Sequence, residues 1–352
     1  MKALRYHGKE DVRIEDIEEP RVSSGTVRIK PAFTGICGSD LHLFYDGPME
    51  GIQGVSAPHP ISGETLPVVF GHEFSGTVEE IGEGVEGLSL GDRVVVEPFM
   101  VCEECAMCTS GRYNLCPKMG FIGISGRGGG LAEYIVVEER WVHPVGDMPL
   151  DQAALIEPLA VATQGVELSG AKEGDVAIVG GAGPIGLLTA AVLKAYGATV
   201  VITELSAARK DKARETGVAD YVVDPREQDP VELARELTDG VGANVAFECT
   251  SVPAVFDQLL SALRPGGLLQ VVALHPSGVS IDLGQVVMTE KIVQGTIGYA
   301  NVHEKAIELV NSGRLDLSPF ISGKIPVERI VEDGYTVLRE RPEEAVKILV
   351  TV

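Results

Sequence analysis

Residues 176–209 constrain the fold more than any other part of this 352-residue chain. Val176-Ala-Ile-Val-Gly180 is a short apolar run of the kind that forms a strand buried on both faces. Gly181-Ala-Gly183-Pro184-Ile185-Gly186 follows, then a helical pattern to Tyr196, then a second apolar run from Thr199 to Thr203 that ends at Glu204. Strand, glycine turn, helix, strand and acid, with Glu204 eighteen positions after Gly186, is the order of a dinucleotide-binding unit. Gly181 permits a tight turn, Gly183 lets backbone come close to a pyrophosphate, and Gly186 lets the helix lie against the sheet. Pro184 suits a first helical turn, where its missing N–H is not needed. The pyrophosphate is expected at the helix N-terminus, beside Pro184 and Ile185, where unpaired N–H groups favour an anion. Glu204 is suited to accept hydrogen bonds from ribose hydroxyls and to repel a 2′-phosphate, which favours NAD(H) over NADP(H). Arg209 nearby reads either as a phosphate contact or as a solvated helix residue.

The alternation continues beyond Glu204. Residues 207–216, 230–238 and 253–263 read as helices, and 221–224, 244–249 and 268–273 as strands. Such an order predicts an α/β, doubly wound parallel sheet of the Rossmann type with right-handed crossovers. The earlier part of the chain has a different texture. Residues 1–35 alternate apolar and polar positions and are broken by Pro20, Gly25 and Pro31, which is β-rich material. Residues 27–30, 77–81, 131–137 and 345–352 read as strands, and 46–67 as a loop rich in Gly, Pro and His.

The chain carries 51 acidic against 29 basic residues, a net charge of −22, which disfavours nucleic acid and anionic membrane as partners. No apolar run approaches the roughly 18 residues needed to span a bilayer, and the first residues lack a signal-peptide core. A cytoplasmic location is the expectation. Four of the six cysteines, Cys102, Cys105, Cys108 and Cys116, lie within fifteen residues, and such clustering points to metal before disulfides. Four thiolates at these spacings can close a tetrahedron around one zinc ion and leave no open position, so the site is structural. The lobe 97–119 around them has few apolar anchors and depends on that ion. Cys37 and His72 are further donors suited to zinc. Cys249 reads as a small buried residue at a strand end.

Taken together, Gly35-Ile-Cys37-Gly-Ser39-Asp40-Leu-His42, Gly71-His72-Glu73, Gly91-Asp-Arg93, the four-cysteine lobe, Glu157-Pro-Leu-Ala160 and the glycine turn resemble the zinc-containing medium-chain alcohol dehydrogenases. The branch with sorbitol and 2,3-butanediol dehydrogenases is the most similar, and the loop 59–67 resembles the butanediol group in particular. The resemblance implies a GroES-like catalytic domain over 1–157, a nucleotide domain over 158–296, and a return to the catalytic domain over 297–352. It implies a catalytic zinc held by Cys37, His72 and Glu157, with Glu73 as an outer or exchangeable ligand, and a second, structural zinc in the lobe. Ser39 and His42 match the family's proton relay. Asp40 is either an orienting partner of His72 or an Asx-turn residue. The implied reaction is hydride transfer between NAD(H) and a small secondary alcohol or vicinal diol. Butane-2,3-diol and acetoin lead, with sorbitol, threonine or another polyol as the alternative and a catalytically silent relative as a distant one. A homodimer or homotetramer joined through the nucleotide domain is implied as well. Thr163-Gln164 departs from the Trp-His pair that many relatives carry after the Glu157 motif, which leaves the local cofactor contacts open.

Overall fold

The computed structural model describes residues 1–48, 57–276 and 278–352, so residues 49–56 of the 46–67 loop lie outside the described residues. The chain divides into two compact units, Met1–Glu157 with Ile321–Val352, and Pro158–Phe320. Residues 297–320 stay with the second unit, whereas the sequence reading placed the return at 297. The helix His303–Asn311 accounts for the difference: it buries Ala306, Ile307 and Leu309 within that unit.

The first unit is β-rich. In chain order its strands are β1 (Lys2–Gly8), β2 (Asp11–Asp16), β3 (Thr26–Gly35), β4 (Val68–Val69), β5 (Glu73–Ile81), β6 (Arg93–Val96), β7 (Phe99–Met100), β8 (Gly120–Phe121), β9 (Ile135–Glu138) and β10 (Val142–Pro144). Their main sheet runs β10-β6-β5-β3 and is extended beyond β3 by two strands from late in the chain. The ten-residue β3 is the spine. It pairs with β5 along nearly its whole length and with β9 beside it. One core of this unit joins Leu4, Tyr6, Leu43, Phe70, Tyr335, Ile348 and Val350. Tyr6 stacks on Phe70 at 4.5 Å, and its hydroxyl donates to the Leu43 carbonyl at 2.6 Å, so the one polar atom of that ring is satisfied.

The second unit carries six parallel strands: β11 (Val176–Gly180), β12 (Thr199–Thr203), β13 (Tyr221–Val223), β14 (Ala243–Glu248), β15 (Leu263–Val271) and β16 (Ile292–Gly295). They lie in the order β13-β12-β11-β14-β15-β16. Every residue of β11 is buried, as a strand covered by helices on both faces requires. Ile178, Val201 and Leu269 meet Phe256 and Leu259 of the helix Pro253–Ala262 in one core. Each such side chain contributes roughly 1.5–3 kcal/mol by leaving water. The strand β16 gave no clear signal in the sequence, because it is four residues long and half exposed at the sheet edge.

The last two strands, β17 (Ile321–Pro326) and β18 (Lys347–Thr351), return to the first unit. There β18 pairs antiparallel with β3 and parallel with β17. Among the described residues, no helix is long and apolar enough to cross a membrane.

Candidate active site and metal centres

The end of β3 is where separated parts of the sequence converge. Gly35 stands opposite Glu73 of β5 on one side and Leu349 of β18 on the other. Cys37 follows β3, His72 precedes β5, and Lys347 opens β18, so register alone brings all three to one end of the sheet. Gly35 is required there: a Cβ on it would lie 2.2 Å from Glu73 Oε2. Cys37 also caps the helix Gly38–Asp46. Its N–H donates to Asp40 Oδ2 at 2.9 Å, which closes the first turn and directs Asp40 inward.

Cys37, His72 and Glu73 place one ligand atom each within 4.8 Å of one another. Asp40 Oδ1 stands 3.5 Å from His72 Nδ1, and Ser39 Oγ lies 3.3 Å from Nε2. Asp40 therefore sits beside the ring nitrogen that does not face Ser39, the placement of an orienting carboxylate. Glu157 is buried at the start of the helix Ile156–Ser169, and its charge acts on both His72 and Lys347. The compact trio contains Glu73 rather than Glu157. His42 is on the same helix as Ser39, two-thirds exposed, with Nδ1 3.1 Å from Asp46.

Lys347 escaped the sequence reading. It is 4% exposed, and its ammonium donates to both Glu73 oxygens at 2.8 and 2.7 Å and to the Ile36 carbonyl at 3.1 Å. The signal was present: a lone lysine in the apolar run 346–350 needs a buried partner.

The electrostatics of the cluster favour a cation. Burial presses the His72 imidazolium to release its proton, yet Asp40, Cys37 and Glu157 outweigh burial and hold its pKa well above the usual histidine range. Burial raises the Asp40 pKa, with His72 and the Cys37 N–H pulling the other way. Asp40, Glu73 and Glu157 thus share one buried ammonium, Lys347. A divalent cation among a thiol, an imidazole and carboxylates fits this donor set, which is that of an open zinc site.

The second cluster is closed. Cys102, Cys105, Cys108 and Cys116 have all four sulfurs within 4.8 Å of one another. Sγ separations are 3.5 Å for Cys105–Cys108 and Cys102–Cys116, and 4.0 Å for Cys102–Cys108. A tetrahedron with Zn–S of about 2.3 Å requires roughly 3.8 Å. Backbone N–H groups of Cys102 and Lys118 point at Cys116 Sγ, and that of Cys108 at Cys105 Sγ, donors suited to sulfurs that ligate an ion. The short helix Ala106–Thr109 buries nothing. At the far end of the lobe, Tyr113 packs against Phe99 and Trp141 and donates to Glu97 at 2.6 Å.

In the second unit, the glycine turn has the shape expected of it. Gly181 has φ 94°, and a Cβ on Gly186 would lie 2.1 Å from the Gly181 carbonyl oxygen. Gly183 precedes the helix Pro184–Ala195, whose N-terminus has no side-chain cap, and a Cβ on Gly183 would meet only open space. An uncapped N-terminus beside free space fits an anion such as a pyrophosphate. Pro184 occupies the first turn, with Ile185 after it. Glu204 Oε2 accepts from the Ala182 N–H at 2.9 Å and Oε1 from Leu205 and Ser206 at 2.8 and 2.9 Å. This fixes its carboxylate beside the turn. Arg209 lies in the first turn of the helix Ala207–Thr216, half-buried.

Comparison with known proteins agrees with these features. Residues 23–147 match the alcohol dehydrogenase GroES-like domain, and residues 184–312 match the zinc-binding dehydrogenase family. The chain is 53% identical over 351 residues to (R,R)-butanediol dehydrogenase of Neisseria gonorrhoeae, covering 99% of each. It is 32% identical to sorbitol dehydrogenase of Bacillus subtilis, covering 99% of this chain and 97% of that one. The crystal structure of 2R,3R-butanediol dehydrogenase from Bacillus subtilis superposes with a TM-score of 0.92 at 42% identity, covering 100% and 99%. A putative zinc-binding dehydrogenase from Sinorhizobium meliloti, solved with NADP, superposes at 0.87 with 31% identity over 100% and 99%. A β-rich GroES-like unit, a parallel nucleotide-type unit and full-length similarity at this level have one reading: the chain belongs to the zinc-binding alcohol dehydrogenase family and is an oxidoreductase.

Proposed function

We propose that the protein transfers a hydride between NAD(H) and a small vicinal diol or its ketol, with butane-2,3-diol and acetoin as the leading pair. One observation carries the reading. Cys37, His72 and Glu73 are gathered at one sheet end, in a chain similar over its full length to a butanediol dehydrogenase. Cys37, His72 and Glu157 hold the catalytic zinc, with Glu73 exchangeable. Cys102, Cys105, Cys108 and Cys116 hold a second, structural zinc. When bound, the catalytic zinc supplies Lewis acidity toward the alcohol oxygen, and the nicotinamide ring supplies the hydride acceptor.

The chain's own residues do the rest. Asp40 holds the His72 ring so that Nε2 is left for the metal side. Ser39 is the first stop for the alcohol's proton, and His42, three residues on and thus on the same helix face, passes it to solvent. Gly181, Gly183, Pro184, Ile185 and Gly186 receive the pyrophosphate, and Glu204 receives the adenosine ribose. The Glu204 carboxylate beside the turn opposes a 2′-phosphate, which supports NAD over NADP; Arg209 is the residue a 2′-phosphate would use.

The protein is a cytoplasmic homodimer or homotetramer joined through the second unit. Ile292 and Val293 of the edge strand β16, and Leu283, Val287 and Met288 of the preceding helix Leu283–Thr289, are exposed apolar residues that a second copy would cover. The polyol alternative is favoured by the sorbitol dehydrogenase match, which is weaker.

The deciding experiment is NADH formation from the butane-2,3-diol stereoisomers, sorbitol and threonine, with and without a chelator. Fastest turnover of one butanediol isomer, lost on chelation and restored by zinc, is expected. Equal or faster turnover of sorbitol or threonine would replace the substrate, and chelator-resistant turnover would remove the zinc. For the relay, His42→Gln should slow oxidation about tenfold near neutral pH with zinc content unchanged. A pH–rate profile identical to wild type would exclude His42.

A further inference from the structure

The second unit contains a buried carboxylate that none of the chemistry above uses. Glu248 ends β14 and is fully buried. Its side chain accepts from the Thr250 N–H at 2.7 Å, the Ser251 N–H at 3.4 Å and the Thr250 hydroxyl, and it meets His275 Nε2 at 2.7 Å. Its backbone carbonyl accepts from the Val272 and Ala273 N–H groups at 2.9 and 3.1 Å. One residue thereby ties the chain leaving β14 to the chain leaving β15. Ser251 is held at φ 63°, a conformation non-glycine residues seldom adopt. The His275 side chain is only 10% exposed and stands edge-on to Phe256 at 6.2 Å. Its Nδ1 has no partner among the described residues, so Glu248 is the ring's one polar anchor there.

The location of this knot gives it meaning. From β11 the chain steps outward through β12 and β13, and from β14 it steps the other way through β15 and β16. Ligands of such sheets bind beyond the carboxyl ends of the strands, at the point where the order reverses. Here that point lies between β11 and β14. Glu204 follows β12, on the adenosine side. The Glu248 knot closes β14 and β15, on the opposite side, and it abuts the glycine turn: a Cβ on Gly181 would lie 2.7 Å from Thr250 Cγ2. A buried carboxyl group is costly unless hydrogen-bonded, and the partners of this one lie in the loops after β14 and β15.

We propose that Glu248 and His275 form a positioning pair for the nicotinamide half of the dinucleotide. The pair locks the loops after β14 and β15 into the wall that this half meets. It acts through those loops and leaves the adenosine half untouched. The proposal rests on the dinucleotide reading, and its test separates the two.

Binding of NADH and of ADP is measured on the zinc-loaded protein for wild type, His275→Gln, Glu248→Gln and the double variant, with thermal melts alongside. His275→Gln should weaken NADH about tenfold, the factor that 1.4 kcal/mol produces, while ADP stays within about twofold. Glu248→Gln should act in the same direction, and the double variant should be little worse than Glu248→Gln alone, because the two act as one unit. Should Glu248→Gln fail to fold, His275→Gln carries the test. Equal weakening of NADH and ADP, or NADH binding unchanged in His275→Gln, overturns the pair's role while the dinucleotide reading stands. Wild-type protein that binds neither ligand removes that reading and the proposal with it.

Discussion

The two cysteine-bearing clusters of the first unit solve the same coordination problem in opposite ways. The lobe gathers Cys102, Cys105, Cys108 and Cys116 from one short run, and its helix buries no side chain. The other cluster draws on residues 37, 72, 73 and 347, which meet only because β3 pairs with β5 on one side and β18 on the other. The lobe's geometry is local to that run. The other's geometry is set by a sheet and by the buried Lys347–Glu73 pair before any ion arrives. A ligand set held by tertiary structure can leave a position open for substrate; one held by its own ion cannot.

Four single variants and one second-site change test this contrast, from the largest expected effect downward. Cys37→Ser should lower kcat roughly a thousandfold or more, since a Lewis acid contributes several kcal/mol and each 1.36 kcal/mol is tenfold. Zinc content should fall from two to one per chain, with the melting temperature nearly unchanged. A large fall in melting temperature would mean that this ion also holds the fold. Cys105→Ser should do the reverse. Apparent zinc affinities of roughly 10–16 kcal/mol in small peptides imply a loss of several kcal/mol here, seen as a melting temperature lower by about 10 °C or more. The kcat per catalytic zinc should survive; its collapse would show that the two clusters are not independent.

Lys347→Met strands the Glu73 carboxylate in the interior. Breaking a buried pair on one side costs about 3–5 kcal/mol, so this variant should melt well below wild type, and adding Glu73→Leu should recover much of the loss. No recovery would mean that Lys347 serves something other than Glu73. The smallest effect belongs to the lobe's own ion pair. Lys118 meets Glu104 at 2.8 Å in open solvent, and Lys118→Ala should leave melting and zinc retention unchanged.

The same contrast explains what could be read from the sequence. The four-cysteine site was legible because its spacing is its geometry. The glycine turn was legible for the same reason: Gly181, Gly183 and Gly186 act within six residues of one another. Cys37, His72 and Glu73 could be nominated from their motifs, but only the pairing of β3 with β5 and β18 shows that they meet at one sheet end beside Lys347. Lys347 stands out as a lone charge in an apolar run, but its partner is 274 positions away, so no local pattern names Glu73. The helix Gly38–Asp46 was not anticipated either, since its cap is a cysteine and its first turn is closed by Asp40. Glu248 gave no signal at all. An acid at a strand end looks solvated until the loops that close over it are known.

The placement of β18 also bears on how the polypeptide is made. Residues 321–352 emerge from the ribosome after the whole of the second unit, so that unit has all of its sequence available first. The amino-terminal half must wait for Leu349 and Val350 to complete the sheet beside β3. Nascent chains stalled before residue 347 would carry a finished nucleotide-type unit and an open-edged partner. The cluster of Cys37, His72 and Glu73, although made early, would be among the last features to mature, because Lys347 is its closing member.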